Sequence, residues 1–273
     1  MSNSFKGLTH KQIDRRLKEG RGQNSGQDYK PFIYTHEVSS DGRVHRIFGQ
    51  KSQRINHLLS DLELAVFLML DWHQDVVDVR EQFPMLLHDT IRIAEESGLP
   101  HQKYKGVYQV LTSDFVVDSQ NLDMPRLALQ VKYAEDLGDK KTIQRLELER
   151  RYWHYKRVPW YLITQKEIPK TVLNNIQWLY PAKKREIFNQ DLQHYYAIFI
   201  DEFNRAPLQN LITTTQKLDI AYQLEKGEAL YWLRSLLALR FFVFDLQIPY
   251  RNLVASDLGK NGHQEDEVVY AFA

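Results

Sequence analysis

Asp114, Gln130 and Lys132, with Glu63 upstream, have the types and spacing suited to chemistry. Asp114 sits in the apolar run SDFVVD (113–118), and Gln130-Val131-Lys132 lies in RLALQVKY (126–133). Both runs read as strands. Glu63 falls at the start of DLELAVFLMLDW (61–72), the strongest helix signal in the chain. Two carboxylates and a lysine on a rigid frame suit phosphodiester hydrolysis. That reaction needs the phosphate charge neutralised, a water activated and the leaving oxygen stabilised. One or two divalent cations held by carboxylates do much of this, and a nearby lysine orients or deprotonates the water.

The elements must bring these residues together. On a strand, alternate residues share a face. Leu127, Leu129 and Val131 are then expected to face a core, and Ala128, Gln130 and Lys132 to face a site. A neighbouring strand puts Asp114 within side-chain reach. Each residue also has a plain structural reading. Ser60-Asp61-Leu62-Glu63 fits a capping box. Asp114 fits a strand start or turn. Gln130 and Lys132 fit the solvent face of an edge strand. An Asp followed at a distance by x-Lys is common by chance.

Around these, further elements are expected. A basic helix spans about Thr9 to Lys18 and ends in Gly20-Arg21-Gly22. Strands are expected at 43–50, 75–80 and 159–164, and a charged helix at 140–156. The helix at 61–72 is apolar almost all round and should be largely buried. The order helix, strand, strand, strand, helix, strand predicts a mixed α/β domain with a central sheet. Beyond residue 168 the chain turns mainly helical, with helices expected at 171–180, 186–203, 216–226 and 228–239. Thr215 is the expected cap of the third, and Gly227 closes it. FFVFDLQI (241–248) and DEVVYAFA (266–273) read as strands. Helix–turn–helix followed by strands is compatible with a winged-helix module. The expected domains are 1–168 and 169–273.

The bulk numbers bound the function. The 273 residues are 43% apolar and 26% charged, enough for a packed core. The net charge of +1 excludes a polybasic protein held to nucleic acid by global charge alone. Local basic clusters remain: Arg15, Arg16, Lys18 and Arg21, and again Lys140, Lys141, Arg145, Arg150, Arg151, Lys156 and Arg157. Solvated helix faces are their default reading, and phosphate contacts the functional one. Neither has the features of base readout, so little intrinsic sequence specificity is expected. The absence of cysteine excludes disulfides, thiolate zinc sites and cysteine nucleophiles. The N-terminus lacks an apolar signal core, and the run Leu64 to Leu70 is far too short to span a bilayer. A soluble, intracellular protein is expected.

The site set resembles the restriction-endonuclease pattern: an Asp on one strand, an acidic-x-Lys on the next, and a Glu from an earlier helix. Over nearly its whole length the chain also resembles the TnsA family of transposon endonucleases. The similar blocks are RRLKEGRGQ (15–23), HLLSDLELAVFL (57–68), VREQFP (79–84), TSDFVVD (112–118), LQVKYA (129–134), LELERRYW (146–153) and TQKEI (164–168). The resemblance implies a restriction-endonuclease-like catalytic domain at 1–168. It implies a mostly helical, winged-helix-like domain at 169–273 for partner and DNA contacts.

Carried over by position, Glu63, Asp114, Gln130 and the Val131 carbonyl would hold Mg2+, with Mn2+ able to substitute, and Lys132 would be the site lysine. Gln130 departs from the general pattern, which prefers an acid there, and its neutral amide binds a hard cation more weakly. The resemblance implies that glutamine is the TnsA-like choice there. Asp71 and His73 lie about two turns beyond Glu63, and Glu149 falls on a helix expected to be solvated; none is counted in the site.

The resemblance implies an endonuclease that cuts the 5′ ends of a transposon, leaving 5′-phosphate and 3′-hydroxyl. A TnsB-like transposase would cut the 3′ ends, and a TnsC-like ATP-dependent regulator would contact the C-terminal domain. The setting implied is the bacterial cytoplasm, with nucleoid association on DNA. LYWLRSLLALRFFVF (230–244) is expected to form core rather than interface. Two other readings stand beside this one. A standalone restriction or repair nuclease would cut without partners. A non-catalytic DNA-binding scaffold would explain Gln130.

Overall fold

The computed structural model describes residues 7–38, 43–183 and 189–260. The chain divides into two compact units between Ile168 and Pro169.

The first unit is built in the order α1 (His10–Lys18), β1 (His45–Phe48), β2 (Ile55–Leu58), α2 (Asp61–Trp72), β3 (Val76–Pro84), α3 (Leu87–Ser97), β4 (Lys103–Tyr104), β5 (Val107–Tyr108), β6 (Thr112–Ser119), β7 (Arg126–Val131), α4 (Lys140–Tyr155) and β8 (Trp160–Ile163). Its central sheet has the order β3-β6-β7-β8. β3 and β7 run antiparallel to β6, while β7 and β8 run parallel. The sheet is therefore mixed, as the element order predicts. A parallel pair cannot be joined by a tight turn, and α4 supplies the long crossover between β7 and β8. The helix α3 and the small hairpins β1–β2 and β4–β5 complete the unit.

β7 is an interior strand, so Gln130 does not stand on a solvent edge. Ala128, Leu129, Gln130 and Val131 are all buried. This corrects the expected alternation. Ala128 does not face the site; it packs with Val116 against Leu148, Tyr152 and Trp153 of α4. A sheet covered on both faces has no polar side for an alternating pattern to mark. α2 is buried along most of its length, as its apolar sequence predicts.

The N-terminal basic cluster is also corrected. Arg16 and Arg21 are 4% and 7% exposed. Both meet Glu37, Arg21 Nη1 donating to Oε2 at 2.7 Å and Arg16 Nη2 lying 3.3 Å from the same oxygen. They tie the N-terminal helix to the loop after it and are not free for phosphates. Arg54 makes a second buried pair with Glu81, whose Oε1 also accepts the His57 N–H.

The second unit contains α5 (Lys170–Leu179), α6 (Asn189–Arg205), α7 (Leu211–Ala221), α8 (Glu228–Ala238), β9 (Phe242–Val243) and β10 (Gly259–Lys260). The cap of α7 is Asn210, whose Oδ1 accepts the N–H groups of Ile212 and Thr213; Thr215 is buried inside the helix. Gly227, at φ 87°, begins α8 instead of closing α7, a backbone that glycine adopts without steric cost. The strand expected at 241–248 shrinks to Phe242–Val243, paired antiparallel with β10. The rest of that run is drawn into the core and turns, with Leu246 buried. Leu233, Leu236, Leu237 and Phe242 are buried, so 230–244 does supply core. The strand expected at 266–273 lies outside the described residues.

Candidate active site

Glu63, Asp114, Gln130, Val131 and Lys132 line one cavity of about 490 Å³, which Gln82, Asp136 and Arg145 also line. The fold assembles it from local causes. Ser60 caps α2 by accepting the Glu63 N–H at 3.0 Å, and its hydroxyl donates back to Glu63 Oε1 at 3.2 Å. Glu63 Oε2 accepts the Leu59 N–H at 2.9 Å. Capping and site are thus one arrangement: the cap fixes a carboxylate that the cavity also reaches.

Asp114 sits where β6 and β7 part. The last paired rung is Phe115 with Leu129. Beyond it, side chains make the contacts that backbone would otherwise make. Gln130 Oε1 accepts the Asp114 N–H at 3.3 Å, and Asp114 Oδ2 accepts the Val131 N–H at 2.8 Å. Gln130 Nε2 also donates to Oδ2, at 2.7 Å.

Gln82 joins the two carboxylates. Its Nε2 lies 3.3 Å from Glu63 Oε2 and 3.5 Å from Asp114 Oδ1. It is buried, and its φ of 48° lies in the left-handed region. Such a backbone costs a non-glycine residue about 1–3 kcal/mol, and strain of that kind concentrates at functional sites. Burial pushes the Glu63 carboxyl up to about 8, helped by the Asp114 charge and opposed by the Leu59 N–H and Lys132. A buried carboxyl that resists ionising beside another acidic side chain marks a place where added positive charge is favoured.

The side chains of Glu63, Asp114 and Gln130 offer oxygen donors, two carboxylates and an amide. That chemistry suits a hard divalent cation. Among the described residues no group of three His, Cys, Asp or Glu side chains could hold a metal.

Two family models cover most of this chain. That for the TnsA-like endonuclease N terminal matches residues 73–165, and that for the TnsA endonuclease C terminal matches residues 167–246. The Escherichia coli protein "Transposon Tn7 transposition protein TnsA" is 43% identical over 258 residues, covering 94% of this chain and 94% of that one. The chain belongs to the TnsA endonuclease family.

Within this TnsA-family chain, Asp114, Gln130 and Lys132 fall inside the first matched stretch and Glu63 precedes it. The Gln130 amide clasps Asp114. Lys132 is half-buried and lines the cavity, its backbone N–H bonded to Ile163.

Glu149 does not share the solvated face of its neighbours Glu147, Arg150 and Arg151. It is 1% exposed, and its Oε1 accepts the Ser113 hydroxyl at 2.6 Å and the Trp160 indole N–H at 3.0 Å. Trp153 in turn donates to the Ser113 oxygen at 2.7 Å. Burial pushes the Glu149 carboxyl up to about 7, against these hydrogen bonds and aided by the Asp114 charge. Asp71 and His73 do not line the cavity. Asp71 accepts the Gln50 and Lys51 N–H groups, and His73 accepts that of Asp75.

Gln82 was missed from sequence. A neutral amide before Phe83-Pro84 carries no signal of its own, although it lies inside the block VREQFP.

Proposed function

We propose that this chain is the Mg2+-dependent endonuclease subunit of a cut-and-paste transposition machine. It cuts the 5′ ends of the element, while a TnsB-like transposase cuts the 3′ ends and a TnsC-like regulator engages the C-terminal unit. The observation that carries this reading is the convergence of Glu63, Asp114, Gln130, Val131 and Lys132 on one cavity of a TnsA-family chain. The mixed sheet with its flanking helices supports a restriction-endonuclease-like catalytic domain. Helices followed by a two-stranded ribbon support a winged-helix-like second domain.

Glu63 and Asp114, with Gln130 Oε1 and the Val131 carbonyl, would hold the cation. Bound Mg2+ supplies Lewis-acid charge at the phosphate and lowers the pKa of a bound water. Glu63 must release its proton to serve as ligand. Lys132 orients the attacking water and offsets the negative charge that grows on the phosphate. The water oxygen bonds to phosphorus, the bond from phosphorus to the 3′ oxygen breaks, and that oxygen takes up a proton. The products are a 5′-phosphate and a 3′-hydroxyl. Strand-specific cutting of a labelled transposon end, with the partner transposase present, tests this. Asp114→Ala should abolish 5′ cutting and Lys132→Ala should slow it by about 10²–10³, both leaving 3′ cutting in place. Normal 5′ cutting by both variants would reject the site.

A further inference from the structure

The sequence places seven basic residues at 140–157 without ranking them. The structure separates them. Arg150 and Arg151 both pair with Glu147, and Lys156 pairs with Asp89. Arg145 alone of the seven lines the cavity that holds Glu63, Asp114 and Lys132. It is exposed and makes no ion pair or hydrogen bond among the described residues, although Asp136 lines the same cavity. Its place on α4 explains this. Arg145 and Glu149 are four residues apart and so share one face of the helix, about 6 Å along its axis. Glu149 is locked under the sheet by Ser113 and Trp160. Arg145 therefore stands one turn nearer the N-terminal end of α4.

We propose that Arg145 is a substrate-binding residue that grips a phosphate of the strand being cut. The inference rests on the site reading above. A guanidinium presents a rigid fork matched to two phosphate oxygens, and it is always charged. The two carboxylates make the inner cavity unattractive to a polyanion. A cation at its wall adds to the attraction that Lys132 supplies and fixes where the backbone lies. Phosphoryl-transfer sites commonly spend arginine on this task.

The test uses the full chain with its partner transposase and a labelled transposon end, comparing wild type, Arg145→Ala, Arg145→Lys and Asp114→Ala. Arg145→Ala should slow 5′ cutting about 10- to 100-fold with 3′ cutting unchanged. It should also reduce the slope of log binding constant against log salt by about 0.9, the value for one lost phosphate contact. Its melting temperature should match wild type. Arg145→Lys should restore the salt slope while cutting remains slower, because the fork is lost. Wild-type cutting and slope in Arg145→Ala would overturn the inference. A fall of several degrees in melting temperature with the loss of cutting would also overturn it, since the role would then be structural. Persistent 5′ cutting by Asp114→Ala would instead reject the site itself, whatever Arg145 does.

Discussion

Gln130 holds Asp114 by two contacts, Oε1 accepting its backbone N–H at 3.3 Å and Nε2 donating to its carboxylate at 2.7 Å. An acid at this position would present a second acceptor to the same carboxylate. The neutral amide therefore does what glutamate cannot: it steadies the aspartate before any cation arrives.

Gln130→Glu should accordingly destabilise the cation-free protein by about 1–3 kcal/mol, the range for leaving a buried polar group unsatisfied. For a protein of this size that lowers the melting temperature by several degrees. Added Mg2+ should recover more stability in the variant than in wild type, because the extra charge then has a partner. Thermal melts with and without Mg2+ measure both, and an unchanged cation-free melt would contradict the hydrogen-bond assignment.

Glu149 should give the fold a pH dependence. Its folded-state carboxyl is pushed up to about 7 from an ordinary value of 4.5. Between those values the folded chain keeps a proton that the unfolded chain has lost. Stability therefore falls as pH rises through this window, by about 3 kcal/mol in all. Glu149→Gln should match wild type near pH 5 and exceed it at pH 8, in buffer free of divalent cations. Urea midpoints at the two pH values test this, and parallel curves would refute it. Glu63 contributes to both chains alike, so the difference isolates Glu149.

Lys132→Ala should lower 5′ cutting by about 10²–10³, as expected for losing a charge aimed at the transition state. Its melting temperature and its stabilisation by Mg2+ should persist, since Lys132 is not among the proposed cation ligands. Loss of the Mg2+ response along with cutting would show that the lysine shapes the site itself.

Ser60→Ala should cost about 1 kcal/mol through the lost cap. It should also slow cutting, because the hydroxyl holds Glu63 Oε1 at 3.2 Å. Ser60→Thr keeps the hydroxyl and should restore both. A stability loss with wild-type cutting would uncouple the cap from the site.

Much of this was legible in residue order, for physical reasons. α2 announced itself because a helix buried along most of its length needs apolar residues all round. The strands carrying Asp114 and Gln130 announced themselves through apolar runs of strand length. What stayed hidden depends on partners distant in sequence. Glu149 lies among Glu147, Arg150 and Arg151, and nothing local tells that it meets Ser113, 36 residues away. Arg16 and Arg21 read as a surface patch because Glu37, their common partner, lies beyond two turns. α3 went unseen because its apolar residues touching the core are few, Ile93 and Ala94 among them. Asn210 and Thr215 are both competent caps by type, and the helix starts after Asn210, whose Oδ1 takes the first free N–H groups.

The parting of β6 and β7 has a dynamic consequence. The Val131 amide proton is held by a carboxylate oxygen and not by a neighbouring strand's carbonyl. Whatever draws electron density from Asp114 weakens that hold, while the adjacent Phe115–Leu129 rung is untouched. The exchange rate of one main-chain hydrogen thus becomes a gauge of site occupancy, legible by NMR without any cutting taking place.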